Sequence, residues 1–182
     1  LEINKNNFHI QIMSEKKNDK FKKIIKINDD ESKDSQDFLY KSVSYLIFIP
    51  EMERLFQSSP SYRRNFLDRL IFSGKNDYNK LVNKYKRTLI ERIKILQSNK
   101  VDDHWLSHIE NDISLLGLEI YNLRNSQLNY LNNELNILKK NHNFQFDVEL
   151  KIKDEAFDKV MNHEIYLSIL QNSRVLDSQY GG

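Results

Sequence analysis

Apolar and polar positions alternate at Phe8, Ile10 and Ile12, pause over the turn-like Lys16-Lys17-Asn18-Asp19, and resume from Phe21 to Ile27. A period of two interrupted in this way predicts a β-hairpin. The polar stretch Asn28 to Asp37 reads as a loop or the beginning of a helix, and Val43 to Ile49 is apolar enough for a buried strand stopped by Pro50. From Pro60 the period turns helical. Ser59 is placed as an N-cap and Pro60 as the first helical residue, with Tyr62, Phe66, Leu67, Leu70 and Ile71 forming one apolar face until Ser73-Gly74 interrupts it.

A second helix is predicted over 76–97, where Tyr78, Val82, Tyr85, Leu89, Ile93 and Leu96 recur by fours and threes. A third starts at Asp103 after a polar loop, and its stripe runs from Trp105 through Ile109, Ile113, Leu116, Ile120 and Leu123 to Leu138. At 1.5 Å per residue, a helix from Asp103 to Lys140 is on the order of 55 Å long. Unequal helices joined by a short loop lie antiparallel, as an arm. Gly117, inside the long helix, costs roughly 1 kcal/mol against alanine and predicts a bend or a close helix contact. Phe144, Phe146, Val148, Leu150 and Ile152 then alternate with polar residues, predicting a return strand over 144–152, and a last helix is predicted from Asp154 to Gln171. The fold class is therefore α+β, mostly α.

Length and composition narrow the classes. At 182 residues the chain can bury a core without metals or disulfides, and it contains no cysteine, as suits a reducing compartment. Its longest apolar run, Val43 to Pro50, is far short of the roughly 20 residues of a membrane span, and no signal peptide opens it, so a soluble cytoplasmic protein is expected. Net charge is only +2 although 30% of residues are charged, so any affinity for nucleic acid must come from a local patch. Lys, Asn and Ile abound while alanine occurs once, at Ala156, a bias that an AT-rich genome produces without functional cause. The start at Leu1-Glu2-Ile3 and the end at Tyr180-Gly181-Gly182 predict a piece of a longer protein.

Several chemistries are disfavoured. The four glycines, Gly74, Gly117, Gly181 and Gly182, leave no phosphate-cradling P-loop and no nucleophile elbow. His104 and His108 stand one helical turn apart but lack the glutamate-bearing H-E-x-x-H pattern and a third ligand, so no metal site is expected. Asp29-Asp30 and Asp102-Asp103 read as solvated loop and helix N-cap rather than as acid-base pairs.

Two basic features remain. Lys80, Lys84, Lys86, Arg87, Arg92 and Lys94 occupy the second helix with Glu91 as the one intervening acid, either as a solvated face or as a track for a DNA backbone. Arg63 and Arg64 stand in the first helical turn, where positive charge opposes the helix dipole. They could form ion pairs with Glu51, Glu53 or Asp68, clamp a phosphate, or be exposed. An Arg64 to Asp68 pair at i,i+4 would contribute a few tenths of a kcal/mol on a surface.

The segment Tyr45 to Arg69, YLIFIPEMERLFQSSPSYRRNFLDR, resembles the RecF family. There a buried strand ends in a Pro-Glu turn, followed by a short leucine or phenylalanine segment, a Ser-Pro step and Arg-Arg-x-Phe-Leu-Asp. Here these are Pro50-Glu51, Leu55-Phe56, Ser59-Pro60 and Arg63-Arg64-Asn65-Phe66-Leu67-Asp68; Tyr85-Lys86-Arg87 and Ser173-Arg174 to Tyr180-Gly181 follow in the same order. The resemblance implies part of the β-sheet of an ABC/SMC-like ATPase lobe with an inserted antiparallel helical arm. Lobe strands would occupy 1–55, the arm 56–165, and the return to the lobe 166–182.

It further implies that the full-length protein binds ATP with Mg, forms an ATP-dependent homodimer and binds DNA at junctions of duplex and single strand. RecO, RecR and a RecA-type recombinase would be its partners in gap repair. The nucleotide-binding motifs would lie outside these residues, so the chain alone is expected to hold no cofactor and to hydrolyse no ATP. Related SMC-like ATPases carry a nucleotide-sensing glutamine where this chain has Ile49-Pro50-Glu51, which makes Glu51 the candidate for that role. Arg63, Arg64 and Asp68 would sit at the joint of lobe and arm. The alternative is a helical-hairpin interaction module with no DNA role.

Overall fold

A computed structural model describes residues 2–3, 6–17, 20–43, 50–75, 77–98, 100–142, 147–153 and 162–180. The chain divides into two compact units, Leu1–Glu53 and Arg54–Gly182. The division falls in a 3₁₀ segment, Pro50–Gln57, at Arg54, whose φ of −95° and ψ of 20° leave helical geometry.

In the first unit, strands β1 (Glu2–Ile3) and β2 (Asn6–Asn7) pair antiparallel, as do β3 (Ile10–Lys17) and β4 (Lys20–Ile27), so the expected hairpin forms. Its register sets Ile10 opposite Ile27, Ile12 opposite Ile25 and Lys17 opposite Lys20. Ile25 and Ile27 are buried, and helix α1 (Lys33–Ser42) packs on β4. The turn into α1 uses left-handed backbone at Asn28 (φ 49°) and Asp29 (φ 66°), conformations that Asn and Asp tolerate better than most residues. Asp30 then organises the helix start. Its carboxylate accepts from the Ser32 amide at 2.9 Å, the Ser32 hydroxyl at 2.7 Å and the Ser35 hydroxyl at 2.5 Å, while the Ser32 hydroxyl in turn caps the Ser35 amide. Hydrogen bonds from Ser35 and Ser32 pull the Asp30 carboxyl down to about 2, because each stabilises the ionised form. The strand expected over 43–49 lies outside the described residues except for Val43, which caps α1 in extended geometry.

The second unit contains α2 (Pro60–Gly74), α3 (Tyr78–Leu96), α4 (Asp103–His142) and α5 (His163–Tyr180). The predicted start of α2 holds: the Ser59 hydroxyl accepts from the Tyr62 amide and Pro60 is the first helical residue. Asp102 caps α4 through the Trp105 amide, and Asn162 caps α5 through the Ile165 amide. With 40 residues, α4 is about 60 Å long and is the spine of the unit.

Its partners follow in order along that spine. Residues 92, 85 and 78 of α3 pack progressively further along α4, at Glu110, Gly117 and Ile120, so the two helices are antiparallel. Helix α5 is antiparallel to α4 as well, with Arg174 at Glu110 and Tyr166 at Gly117. One core joins Ile71, Tyr78 and Ile120 of α2, α3 and α4, and a second joins Ile109, Ile113 and Leu170 of α4 and α5, with Tyr85 touching both. The close contact expected at Gly117 is present: a Cβ there would run into the Tyr166 ring and lie 3.2 Å from that of Tyr85.

Two expectations require correction. Of the return strand expected over 144–152, residues 144–146 lie outside the described residues and 147–152 form no strand: among the described residues no strand pairs with them, and the Asn132 side chain takes the partner's place, donating to the Leu150 carbonyl (3.0 Å) and accepting from its amide (2.8 Å). The last helix reaches Tyr180 rather than Gln171, because Arg174 and Asp177 are tied into the helix bundle and extend the packed surface. The start expected at Asp154 lies outside the described residues.

Candidate functional site

Arg63 and Arg64 occupy a helix start that has no acid in its first turn. Arg63 relieves its position by turning back on the preceding segment, where Nη1 donates to the carbonyls of Ser58 at 2.5 Å and Phe56 at 3.2 Å. It thereby closes carbonyls that the end of the 3₁₀ segment leaves open. Arg64 is exposed and reaches the Ser61 hydroxyl at 3.4 Å. No carboxylate among the described residues pairs with either arginine, and the side chains of Glu51 and Glu53 lie outside the description.

Asp68 is engaged elsewhere, which corrects the i,i+4 pair with Arg64. Arg124 of α4 grips it through Nε at 2.8 Å and Nη2 at 2.9 Å, and the Tyr78 phenol donates to it at 2.6 Å. Burial, together with that hydrogen bond, pushes the Tyr78 phenol well above its usual range. Burial works against the Arg124 charge, but the hydrogen bond and charge of Asp68 outweigh it and leave the guanidinium raised. Asp68 is therefore a clasp between α2, α3 and α4.

Of the six basic residues on α3, Lys80, Lys84, Lys86, Arg87 and Lys94 are exposed. Lys80, Lys84, Arg87 and Lys94 share one helix face by their spacing of four, three and seven, opposite the face of Tyr78, Tyr85 and Leu89. Lys80 also pairs with Asp77 at 2.9 Å.

Arg92 does not belong to that face and is removed from the DNA-contacting set. It is 3% exposed and points into the bundle, where Nε meets Glu110 at 3.0 Å, Nη1 meets Asp177 at 2.6 Å and Nη2 meets the Leu170 carbonyl at 2.6 Å. Arg174 completes the cluster on Glu110, whose side chain is fully buried, with Nη2 2.6 Å from Oε2. Two cations face two anions here, and every buried polar side-chain atom among the described residues has a partner. Burial opposes ionisation of Asp177, but hydrogen bonds from Ser173 and Arg92 prevail and hold its carboxyl below the usual range.

Sequence reasoning missed this cluster, although one signal was available. Glu110 lies within the stripe of Leu106, Ile109 and Ile113, and an acid inside an apolar stripe requires a buried cation. A further pair, the buried Ser114 hydroxyl and His163 Nδ1 at 2.8 Å, fastens the start of α5 to α4. His104 and His108 are exposed at the start of α4, and among the described residues no group of His, Asp or Glu has the arrangement of a metal site. No described helix is long and apolar enough to cross a membrane.

No family model matches the sequence. Among curated proteins, the chain is 33% identical over 135 residues to the DNA replication and repair protein RecF of Rickettsia massiliae (strain Mtu5), covering 74% of this chain and 36% of the relative. The RecF of Rickettsia felis (strain ATCC VR-1525 / URRWXCal2) is 35% identical over 109 residues, with 60% and 30% covered. That of Rickettsia canadensis (strain McKiel) is 34% identical over 145 residues, with 75% and 40% covered. The chain thus spans about a third of the length of the curated relatives it matches. Among solved structures, the recombination mediator protein RecF-ATPrS in the RecFOR pathway superposes with a TM-score of 0.66 at 24% identity, over 88% of this chain and 45% of that one.

Proposed function

We propose that this chain, of the RecF family by sequence and by fold, supplies lobe strands and a helical arm to a DNA repair protein of that kind. In full length it binds ATP with Mg, dimerises on the nucleotide and engages DNA where duplex meets single strand. With RecO and RecR it supports loading of a RecA-type recombinase at gaps. Glu51 is carried into this reading as the nucleotide-sensing candidate.

The observation that supports a DNA role for the arm itself is the ridge on α3. Lys80, Lys84, Arg87 and Lys94 extend over about 21 Å of helix axis, long enough to follow several phosphates, and Lys86 flanks them. Cations that neutralise phosphates release counterions, so log K falls with log salt by about 0.9 per contact. Replacing Lys84 and Arg87 by alanine in the full-length protein is expected to reduce that slope on gapped duplex DNA by about 1 to 2. An unchanged slope removes the ridge from the interface.

The Lys80–Asp77 pair favours a second reading, in which the face is simply solvated and the arm is a protein-interaction module. In that case gapped and blunt duplexes titrated at two salt concentrations show no salt-dependent term that the ridge controls.

A further inference from the structure

On the second unit, away from the α3 ridge, a cleft of about 730 Å³ opens between the start of α2, the middle of α4 and residues 147–153. Its walls are largely apolar, supplied by Leu67, Leu118, Leu128, Leu131 and Ile152, and Phe56 lines it while remaining 70% exposed. Leucine walls of this kind accept aliphatic or aromatic side chains, and the volume falls in the range of ligand and anchor pockets.

The charges lining the cleft are unequal in sign. Arg63, Arg64 and Lys153 line it without a carboxylate partner among the described residues, since Arg63 is held by carbonyls and Arg64 by a hydroxyl. The remaining lining charges cancel: Arg124 is matched by Asp68, and Lys151 pairs with Glu149 at 2.8 Å. Among the described residues, three cations without a carboxylate partner therefore surround an apolar floor.

We infer that this cleft is a docking site for an acidic amphipathic segment of a protein partner, which sets apolar anchors between α2 and α4 and carboxylates against Arg63, Arg64 and Lys153. An amphipathic helix satisfies both requirements at once, because residues at i, i+4 and i+7 project together while acids flank them. The excess positive charge also accounts for two arginines in a helix turn where the dipole disfavours them: an incoming carboxylate meets both the guanidinium groups and the α2 N-terminus.

The test uses the full-length protein and a display library of random segments of about 16 residues, long enough for some four helical turns. Selection is expected to enrich peptides with apolar residues at i and i+4 flanked by Asp or Glu. The combined substitution Arg64→Glu and Lys153→Glu is expected to weaken those peptides at least about tenfold, roughly 1.4 kcal/mol, and to favour versions with lysine in place of acid. Arg64→Glu places an acid where the helix dipole welcomes it, so the fold is retained. Filling the cleft by Leu128→Trp is expected to weaken binding independently of charge. No enrichment, enrichment without acidic character, or binding unaffected by both variants overturns the proposal, and the last outcome assigns the peptide to another surface or the cleft to the rest of the full-length chain.

Discussion

Arg92 of α3 and Glu110 of α4 meet with Nε 3.0 Å from Oε1, 3% and 0% exposed, and three helices close around them. An ion pair taken out of water is held by geometry: Glu110 is gripped by a second guanidinium from α5, and Arg92 by an α5 carboxylate and carbonyl. Removing one member leaves a buried charge without its partner.

Arg92→Ala is therefore expected to destabilise the protein by about 3 to 5 kcal/mol, read as a lower midpoint in urea denaturation. Lys84→Ala, on the exposed face of the same helix, is expected to change stability by less than about 0.5 kcal/mol in the same measurement. Equal losses for the two variants would refute the assignment of Arg92 to the core.

Much of this was legible from periodicity, and the rest depended on distant partners. The hairpin, the Ser59-Pro60 helix start and the long helix α4 are local consequences of spacing and capping, so residue order alone indicates them. Asp68 is different. Its local neighbour at i−4 is Arg64, but Arg124, 56 residues away, offers two parallel donors from a packed helix. Arg92 likewise belongs to a charged stretch, but it stands seven residues after Tyr85 on the packed face of α3, where Glu110 of α4 and Asp177 of α5 hold it. The alternation from Asp147 to Ile152 has a strand's period, but a ladder requires a partner strand, and here the Asn132 side chain pairs with the backbone at one residue, Leu150.

Asn132→Ala removes both hydrogen bonds at Leu150 together. Leaving the Leu150 amide and carbonyl without these partners is expected to cost about 1 to 3 kcal/mol, concentrated in residues 147–153. Hydrogen exchange measures it directly: the Leu150 amide is expected to exchange at least about tenfold faster while amides in α3 are unchanged. Unaltered exchange at Leu150 would show that the side-chain clasp does not hold the segment.

Asp30 gives a pH signature for the first unit. Its folded carboxyl is pulled from 3.8 to about 2, so the capping contacts contribute fully above the unfolded value and are lost as pH falls through 3.8 toward 2. Carboxyl carbon NMR is expected to show Asp30 titrating near 2. In Ser32→Ala plus Ser35→Ala the midpoint moves up toward the ordinary aspartate range, since both hydroxyl donors are gone and only the amide of residue 32 still donates; no upward movement would mean that the hydroxyls do not set the shift.

Gly117 opposes helix propensity to tertiary packing. Alanine there gains roughly 1 kcal/mol of helix propensity, yet its Cβ would strike the Tyr166 ring, whose hydroxyl lies 2.5 Å from that of Tyr85 and whose body packs against the Ile109–Ile113–Leu170 core. The ring has little freedom to retreat, and overpacking of this kind costs about 1 to 3 kcal/mol, so Gly117→Ala is expected to be net destabilising. The same substitution made in a Tyr166→Leu background loses the tightest contact and meets only the Tyr85 ring, 3.2 Å away, so it is expected to be less destabilising than in the parent. The difference between the two backgrounds, measured as a double-mutant cycle by thermal denaturation, isolates the contact. A Gly117→Ala variant as stable as the parent in both backgrounds would mean that α5 rides over α4 without needing the missing side chain.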